Sequence, residues 1–340
     1  MKRPTQSDVA RLAGVSRATV SYVLNNRADG KIPITAQTRQ KVLDAAEELG
    51  YVPSALARSL RYGSSRAIGF LMPAINNPHY WDILEGAEEE IASEGYHLVL
   101  VTAHLDEERE RRCLQSLFQQ RLDGLILATT YPSFSEPEVK TYTRRGAPIV
   151  FLVPQEGCDF VYADTRTGAS DLMDHLISLG HRRIGFVHGV ARQDMARNRL
   201  QVYREKLAAM GIEPDECLVR NCGHLMRDSY RATRDLLSLD EPPTAIWTVN
   251  DLLAVGALRA ISEHGLRVPQ DISLAGFDDI ALASELYPSL TTVRMDGYRL
   301  GQRAARLLFD RIGRPGWSGP CEGVPTELVV RESTGAVRTG

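Results

Sequence analysis

The N-terminal segment of this chain is constrained by a glycine that must separate two short helices. Thr5 is suited to cap the first helix, and Asp8 follows in its first turn. Gly14 predicts the end of that helix because glycine adopts the left-handed C-cap conformation at little cost, and Ser16 then caps a second helix. The predicted apolar faces comprise Val9, Ala10, Leu12 and Ala13 in the first helix and Val20, Val23 and Leu24 in the second.

Two short helices joined by a glycine turn form a helix-turn-helix, whose second helix has the shape to enter a DNA major groove. The alternative is a small helical hairpin that merely packs. A third helix over 36–49, capped by Thr35 and ended by Gly50, favours the first interpretation because it completes a small all-α head. The predicted buried stripe of the third helix consists of Val42, Leu43, Ala46 and Leu49.

Charge separates this head from the rest of the chain. The 340 residues carry a net charge of -3, but residues 1–62 hold ten basic and five acidic side chains. The remainder holds thirty basic and thirty-eight acidic side chains. A basic head on an acidic body is typical of a DNA-binding module joined to a part that does not bind DNA.

From Arg66 onward, buried strands alternate with amphipathic helices, and the alternation restarts near residue 167. Such a pattern predicts two α/β lobes with parallel sheets covered on both faces. The predicted strands are 67–72, 96–101, 123–128, 149–152, 183–187, 218–220, 245–249 and 272–277. The predicted helices are 81–94, 107–120, 167–180, 198–210, 228–239, 251–265 and 300–312.

Several classes of protein are disfavoured by what the sequence lacks. Five scattered cysteines indicate reduced thiols in the cytoplasm rather than a disulfide framework. No signal peptide and no apolar run of membrane-spanning length is present, so we expect a cytoplasmic protein without a membrane partner. Cys217, Cys222 and His224 lack a fourth ligand and the spacing of a metal site, so neither metal nor cofactor is expected. The absence of a dinucleotide-binding glycine run, a Walker loop and a nucleophile elbow argues against an enzyme.

The order of short motifs in the head resembles the LacI/GalR (lactose-repressor) family of bacterial transcription regulators. These motifs are Asp8-Val9-Ala10, Ala13-Gly14-Val15-Ser16, Thr19-Val20-Ser21, Asn25, Tyr51-Val52-Pro53 and Ala57-Arg58-Ser59-Leu60. The resemblance continues through nearly the whole chain and implies a type I periplasmic-binding-protein-like body. The implied parts are a helix-turn-helix domain over 1–52, a hinge helix and linker over 53–65, and an effector-binding and dimerisation body over 66–340.

Within that body, the resemblance implies an N-lobe of about 66–163 plus 296–323 and a C-lobe of about 164–293 plus 326–340. The implied function is that of a repressor, a homodimer on double-stranded operator DNA, controlled by a carbohydrate-like small molecule bound between the lobes. Whether the effector releases or promotes DNA binding stays open. A solute-binding protein of the same fold is the alternative function, which the head disfavours.

The resemblance also implies which side chains contact DNA. Leu60 takes the place of a leucine that is wedged into the minor groove, with Arg58 beside the phosphates; a surface linker leucine is the alternative. In the second helix, Arg17, Ala18 and Tyr22 are expected to set base preference. The positions expected nearer to phosphate or at the ends of the motif are Thr5, Ser16, Thr19, Ser21 and Asn25.

Ligands of this fold bind in the cleft between the lobes, at the carboxyl ends of the strands. The implied effector-contacting residues are Asn77, His79, Tyr80, Arg199, His224, Asn250, Asp278 and Met295. Asn250 is expected to face the ligand while Asp251 caps the following helix. Val153-Pro154 replaces an acidic position of sugar binders, and Met295 stands where a glutamine is common. We therefore expect a less polar cleft, suited as well to a larger or less hydroxylated ligand as to a free hexose.

Overall fold

The structure, a computed structural model, describes residues 4–24, 34–52, 64–74, 76–129, 148–155, 157–189, 195–314 and 322–338. Contacts divide the chain into two compact units, Met1–Ser65 and Arg66–Gly340. Asn25, Arg58 and Leu60, all expected to contact DNA, lie outside the described residues. None of the helices in the described part of the chain combines the length and the apolar character needed to span a bilayer.

Three helices form the head, and local capping explains where they begin and end. Both Thr5 N and Thr5 Oγ1 donate to the Asp8 carboxylate, at 2.9 and 2.7 Å, and Gly14 adopts a φ of 65°. Ser16 Oγ accepts from the backbone N–H of Thr19 at 3.1 Å, which satisfies one of the unpaired donors of the second helix. The helices are α1 (Gln6–Ala13), α2 (Arg17–Leu24) and α3 (Ala36–Glu48).

The core of the head is narrower than the sequence pattern predicts. Val9, Val20 and Val42 are fully buried at its centre. Leu12 and Leu43, both predicted to be buried, are instead 46% and 40% exposed. Those predictions were wrong because the faces of α1 and α3 that pack against the rest of the head do not include these two positions. Further side chains packed in this core are Ala10, Val23, Ala45 and Ala46.

The body begins with β1 and alternates strands with helices to its end. Its first half comprises β1 (Ala67–Met72), α4 (His79–Ser93), β2 (His97–Thr102), α5 (Glu107–Gln119), β3 (Gly124–Leu127), β4 (Ile149–Phe151) and β5 (Asp159–Ala163). Its second half begins with α6 (Thr165–Ser178), β6 (Ile184–His188), α7 (Met195–Ala209), β7 (Val219–Asn221), α8 (Met226–Leu237), β8 (Ala245–Thr248) and α9 (Asp251–Glu263). It ends with β9 (Ser273–Ala275), α10 (Leu282–Glu285), β10 (Thr292–Met295), α11 (Gly297–Gly313), β11 (Glu322–Val324) and β12 (Thr326–Val329).

The two lobes are built on separate parallel sheets. The first has the strand order β11-β5-β4-β3-β1-β2, and the second has the order β7-β6-β8-β9. Strands β10 and β12 form a separate, two-stranded antiparallel sheet. α11 packs on α4 of the first lobe, whereas Leu328 of β12 packs on the core of the second. Two α/β lobes joined by several crossings confirm the fold class expected from the sequence.

Strands β5, β10, β11 and β12 were not among the strands predicted from the sequence. β5 contains Asp159, which is buried and paired with Arg311, so the strand does not read as a continuous apolar run. β10 and β11 are short strands at the crossings between lobes, where the apolar pattern is interrupted. Helix starts also differ by a few residues: α6 and α11 begin two and three residues earlier than predicted, because Asp164 and Asp296 cap them.

The helix pair α4 and α11 is held together by glycines at the crossing point. A Cβ at Gly86 would lie 2.0 Å from Tyr298 O, and a Cβ at Gly301 would lie 1.9 Å from Ile83 O. The absence of a side chain therefore lets the two backbones approach closely. This contact fixes α11 on the first lobe after the chain leaves β10.

Gly301→Ala is expected to lower the free energy of unfolding by about 1–3 kcal/mol, because the added methyl group must displace a helix backbone. The matched control is Gly313→Ala in the same helix, where an added Cβ has no atom within 4 Å. Urea denaturation of both variants measures the difference. Equal stability of the two variants would show that the close approach does not hold the helices together.

Candidate functional site

The exposed side of α2 carries side chains that the sequence analysis expects to contact DNA. Arg17 and Ala18 are exposed, and Thr19 is partly exposed. Ser16 Oγ and Thr19 Oγ1 lie 2.9 Å apart, so the two hydroxyls share one hydrogen bond at the start of the helix. These residues lie on one surface of the head, as a helix that enters a groove requires.

Ser21 departs from the expected arrangement. The sequence places it on the outer side of α2, but its side chain is only 9% exposed. α2 packs against both α1 and α3, so its buried stripe is wide enough to include Ser21. Tyr22 is half-buried, which leaves part of its ring at the surface. That Ser21 lies close to phosphate stays a prediction.

The body contains a cavity of about 470 Å³ at the carboxyl ends of the first lobe's strands. Three residues predicted to contact the effector, His79, Tyr80 and Met295, line it. Val153 and Pro154 line it as well. Asn77, Arg199, His224, Asn250 and Asp278 do not form part of this wall.

Sequence reasoning missed several residues of the cavity wall. Polar lining residues that it did not single out are Thr129 after β3, Tyr162 in β5, and Asp164 and Arg166 at the start of α6. The last three were overlooked because β5 was not recognised as a strand. Their position at a strand end is the signal that would have found them.

A hydrogen bond joins the two lobes beside this cavity. Asn77 Nδ2, which follows β1, donates to Asp278 Oδ2, which follows β9, at 3.0 Å. Asn77 Oδ1 accepts from the backbone N–H of His79 at 3.1 Å, which orients the amide. Both side chains are buried, with 8% and 6% exposure. The lobes therefore contact each other through two residues that the sequence assigned to effector binding.

The turn that carries Asp278 is conformationally unusual. Asp278 and Asp279 have φ values of 112° and 55°, a region that L-residues rarely adopt in succession. The Asp279 carboxylate accepts from Arg294 Nε at 2.8 Å and from Arg331 Nη2 at 2.7 Å. These two ion pairs hold the turn so that the preceding carboxylate faces Asn77.

The residue that caps α9 is Asn250 and not Asp251, which the sequence analysis expected to be the cap. Asn250 is the N-cap of α9, because its side-chain oxygen accepts from the backbone N–H of Leu253 at 2.9 Å. Asp251 is buried instead, and it accepts from Thr292 Oγ1 at 2.6 Å and from Ile280 N at 2.9 Å. Burial, reinforced by Asp278, raises the pKa of the Asp251 carboxyl well above its ordinary value. The prediction was wrong because a residue's position in sequence does not show which of two adjacent acceptors points at the helix.

Arg199 is buried in the second lobe with 4% exposure. Its guanidinium carbon lies 3.8 Å from the centre of the Phe277 ring, and Nη1 donates to Val249 O. Nη2 points towards Met295 Sδ at 3.9 Å, and Nε has no hydrogen-bond partner. Burial lowers the pKa of Arg199, while the nearby Asp278 carboxylate opposes that effect.

Burial favours the neutral forms of two ionisable side chains of the cavity wall, His79 and Tyr80. Burial lowers the pKa of His79, although Asp278 opposes this. Burial and the same carboxylate raise the pKa of the Tyr80 hydroxyl. The two rings lie 5.6 Å apart at an angle of 55°. The wall thus offers a neutral imidazole and a neutral phenol to a ligand.

His224 lies away from the described cavity wall. It is half-buried, and burial lowers its pKa. Within the described residues, no three His, Cys, Asp or Glu side chains are grouped so as to hold a metal ion. The position of His224 beside Cys222 accordingly provides no metal-binding group there.

Comparison with known proteins matches both parts of the chain. Residues 5–54 match the model of bacterial regulatory proteins of the lacI family, and residues 173–334 match the model of a periplasmic binding protein-like domain. The chain is thus a transcription regulator that combines a DNA-binding head with a ligand-binding-protein fold. It belongs to the LacI family. The matched head distinguishes it from a solute-binding protein with the same type of body.

Relatives and solved structures agree on this assignment. The ribose operon repressor of Escherichia coli (strain K12) is 37% identical over 92% of this chain and 94% of the relative. The transcriptional repressor PurR of Mannheimia succiniciproducens is 32% identical over 97% of this chain and 98% of the relative. The structure of the lac repressor dimer bound to operator and the anti-inducer ONPF has a TM-score of 0.85 and 29% identity, and covers 98% of this chain and 100% of that chain. A LacI family regulator from Enterococcus faecium with bound ribose has a TM-score of 0.72 and 28% identity, and covers 80% and 100%.

Lowering the pH below 6.5 is expected to destabilise the body through His79. Burial lowers the pKa of His79 from 6.5 in the folded protein, so the unfolded chain binds more protons and stability falls as the pH drops towards the folded pKa. The melting temperature between pH 7.5 and pH 5.5 measures this loss. The slope of melting temperature against pH should be smaller in His79→Gln. It should be unchanged in the control His264→Gln, because His264 is exposed. Identical slopes in the three proteins would contradict the expectation.

Proposed function

We propose that this chain represses transcription as a homodimer on operator DNA, and that a carbohydrate-like effector bound between the lobes changes its affinity for the operator. The hydrogen bond between Asn77 and Asp278 is the observation that carries this proposal. A ligand that enters beside it must replace or rearrange the contact between the lobes. Effector occupancy is thereby coupled to the relative position of the lobes, and such coupling is typically about 1–3 kcal/mol, or roughly 5–150-fold in affinity.

Two similar proteins support a carbohydrate-like effector. A relative named a ribose operon repressor covers most of the chain, and a similar regulator is solved with bound ribose. In this chain, the Asp278 carboxylate and the Asn77 amide suit hydroxyl groups, because both can accept hydrogen bonds from them. The DNA that the head binds lies in the cytoplasm of a bacterium, so we place the protein there.

Operator contacts are assigned to the exposed side of α2. Arg17, Ala18 and Tyr22 are proposed to contact base edges, while Ser16 and Thr19 contact phosphates with Thr5 and Asn25. In the hinge, Leu60 is proposed to wedge into the minor groove, with Arg58 at the phosphates beside it. A homodimer presents two such heads, so the operator should carry matching half-sites.

Selection from a random pool of DNA duplexes at near-physiological salt tests the DNA-binding part of the proposal. One two-fold-symmetric motif is expected. On a duplex with that motif, Leu60→Ala should weaken binding much more than it weakens binding to an unrelated duplex, because the wedge acts only where a base step opens. Recovery of no motif, with or without sugars added, would refute the repressor function. An equal loss of affinity for both duplexes would refute only the proposal that Leu60 is wedged into the minor groove.

Asp278→Ala is expected to abolish the effect of sugars on operator affinity, because it removes the buried acceptor that faces the cleft. Fluorescence anisotropy of labelled operator, titrated with pentoses, hexoses and their acids, measures the response. The control is Asp235→Ala, which removes an exposed carboxylate of α8. A dose response in Asp278→Ala equal to that of the unaltered protein would exclude Asp278 from the effector site.

A further inference from the structure

One edge of the buried Arg199 guanidinium lacks a strong acceptor. Nη1 is satisfied by Val249 O, but Nε has no partner and Nη2 meets only the thioether of Met295 at 3.9 Å. The Nε–H and Nη2–H bonds are parallel and form the edge with which arginine binds a carboxylate through two hydrogen bonds. A thioether sulfur is a weak acceptor, so Met295 satisfies this edge poorly.

No acidic residue in the described part of the chain forms a direct ion pair with the Arg199 guanidinium. Within the described residues, no carboxylate lies at ion-pair distance from its guanidinium. Asp278 is hydrogen-bonded to Asn77 of the other lobe. Asp251 is bonded to Thr292 and Ile280, and its raised pKa reduces its charge. Arg199 is therefore a buried cation whose guanidinium no described carboxylate binds directly, although the Asp278 carboxylate lies close enough to stabilise its charge.

A buried charge of this kind is unfavourable unless it is paired. Desolvation of an ion in a protein interior opposes folding strongly, and proteins normally compensate it with an opposite charge. Arginine does not lose its proton at physiological pH, so it does not escape this penalty by becoming neutral. The arrangement is suited to an anionic group that arrives with a ligand.

The unsatisfied edge is next to the cavity. Met295 contacts Arg199 Nη2 and also lines the cavity of about 470 Å³. Methionine has an unbranched side chain with several rotatable bonds, so a change of rotamer would open the arginine edge to the cavity. Asn77 and Asp278 offer hydrogen-bonding groups for hydroxyls beside the same cleft.

We propose that the effector is a sugar acid, a polyhydroxylated compound with one carboxylate. This inference rests on the proposed function. The carboxylate displaces the Met295 thioether and accepts from Nε and Nη2 of Arg199, while hydroxyls bind Asn77 and Asp278. One carboxylate matches the single two-donor edge of Arg199. A phosphate dianion would bring a second negative charge, and the arginine that lines the cavity, Arg166, is already paired with Glu205.

Isothermal titration calorimetry on the full-length protein, with matched pairs of acidic and neutral ligands, tests whether the effector is a sugar acid. The pairs are D-galacturonate with D-galactose, D-glucuronate with D-glucose, D-gluconate with D-sorbitol, and D-ribonate with D-ribose; D-ribose 5-phosphate and D-glucose 6-phosphate form a separate arm. At least one acid should bind at least about tenfold more tightly than its neutral partner, as expected for a charged hydrogen-bonded pair. Tighter binding of the neutral partner, binding of phosphates alone, or binding of no acid at millimolar concentration would overturn the proposal.

Two substitutions at Met295 then test the role of the arginine edge. Met295→Gln supplies Arg199 with an internal amide acceptor, so it should reduce the ratio of acid to neutral affinity by about tenfold. Met295→Leu changes the shape without adding an acceptor, so both affinities change together and the ratio is kept. An unchanged ratio in Met295→Gln would refute the assignment of the carboxylate to Arg199.

The same titrations distinguish failure of this inference from failure of the proposed function. A neutral sugar that binds more tightly than its acid and changes operator affinity would agree with the proposed function but would refute the proposal that the effector is a sugar acid. If no compound in the panel either binds or changes operator affinity, both are contradicted. An acid that binds and changes operator affinity supports both.

Discussion

The hydrogen bond between Asn77 and Asp278 is the contact on which the arrangement of the body depends. It is made between the two lobes, beside the cavity, by side chains that are nearly excluded from solvent. Each end is held in place: the backbone of His79 orients the amide, and the Asp279 ion pairs hold the unusual turn that carries the carboxylate. A weak interaction becomes a specific one here because its partners have little freedom to move.

The crossing segments connect this contact to the rest of the molecule. Arg294 of β10 and Arg331 after β12 both bind Asp279, so the strands that pass between lobes also support the turn. From β10 the chain continues directly into α11, which the close approach at Gly301 fixes on the first lobe. A change in the cleft therefore acts on elements that belong to both lobes. This is a structural basis for transmitting effector binding through the body.

The candidate site could be predicted in part. The resemblance to the LacI/GalR family implied Asn77, His79, Tyr80 and Met295 as effector contacts, and the structure places them at or beside the cavity. The functional division between Asn250 and Asp251 was not predictable, since two adjacent polar residues present the same pattern. The lining residues at the end of β5 were missed for a different reason, because a strand with a buried ion pair does not have an apolar pattern.

The sequence alone determined the order of the elements, the division into head and body, and the caps of the short helices, because these depend on neighbouring residues. The φ of Gly14 and the cap at Thr5 are examples. Only the tertiary structure decided which apolar residues are buried, as the exposure of Leu12 and the burial of Ser21 show. It alone brought Asn77 to Asp278 and left the Arg199 edge without an acceptor. Burial and pairing between distant segments depend on how elements pack, and local sequence patterns do not contain that information.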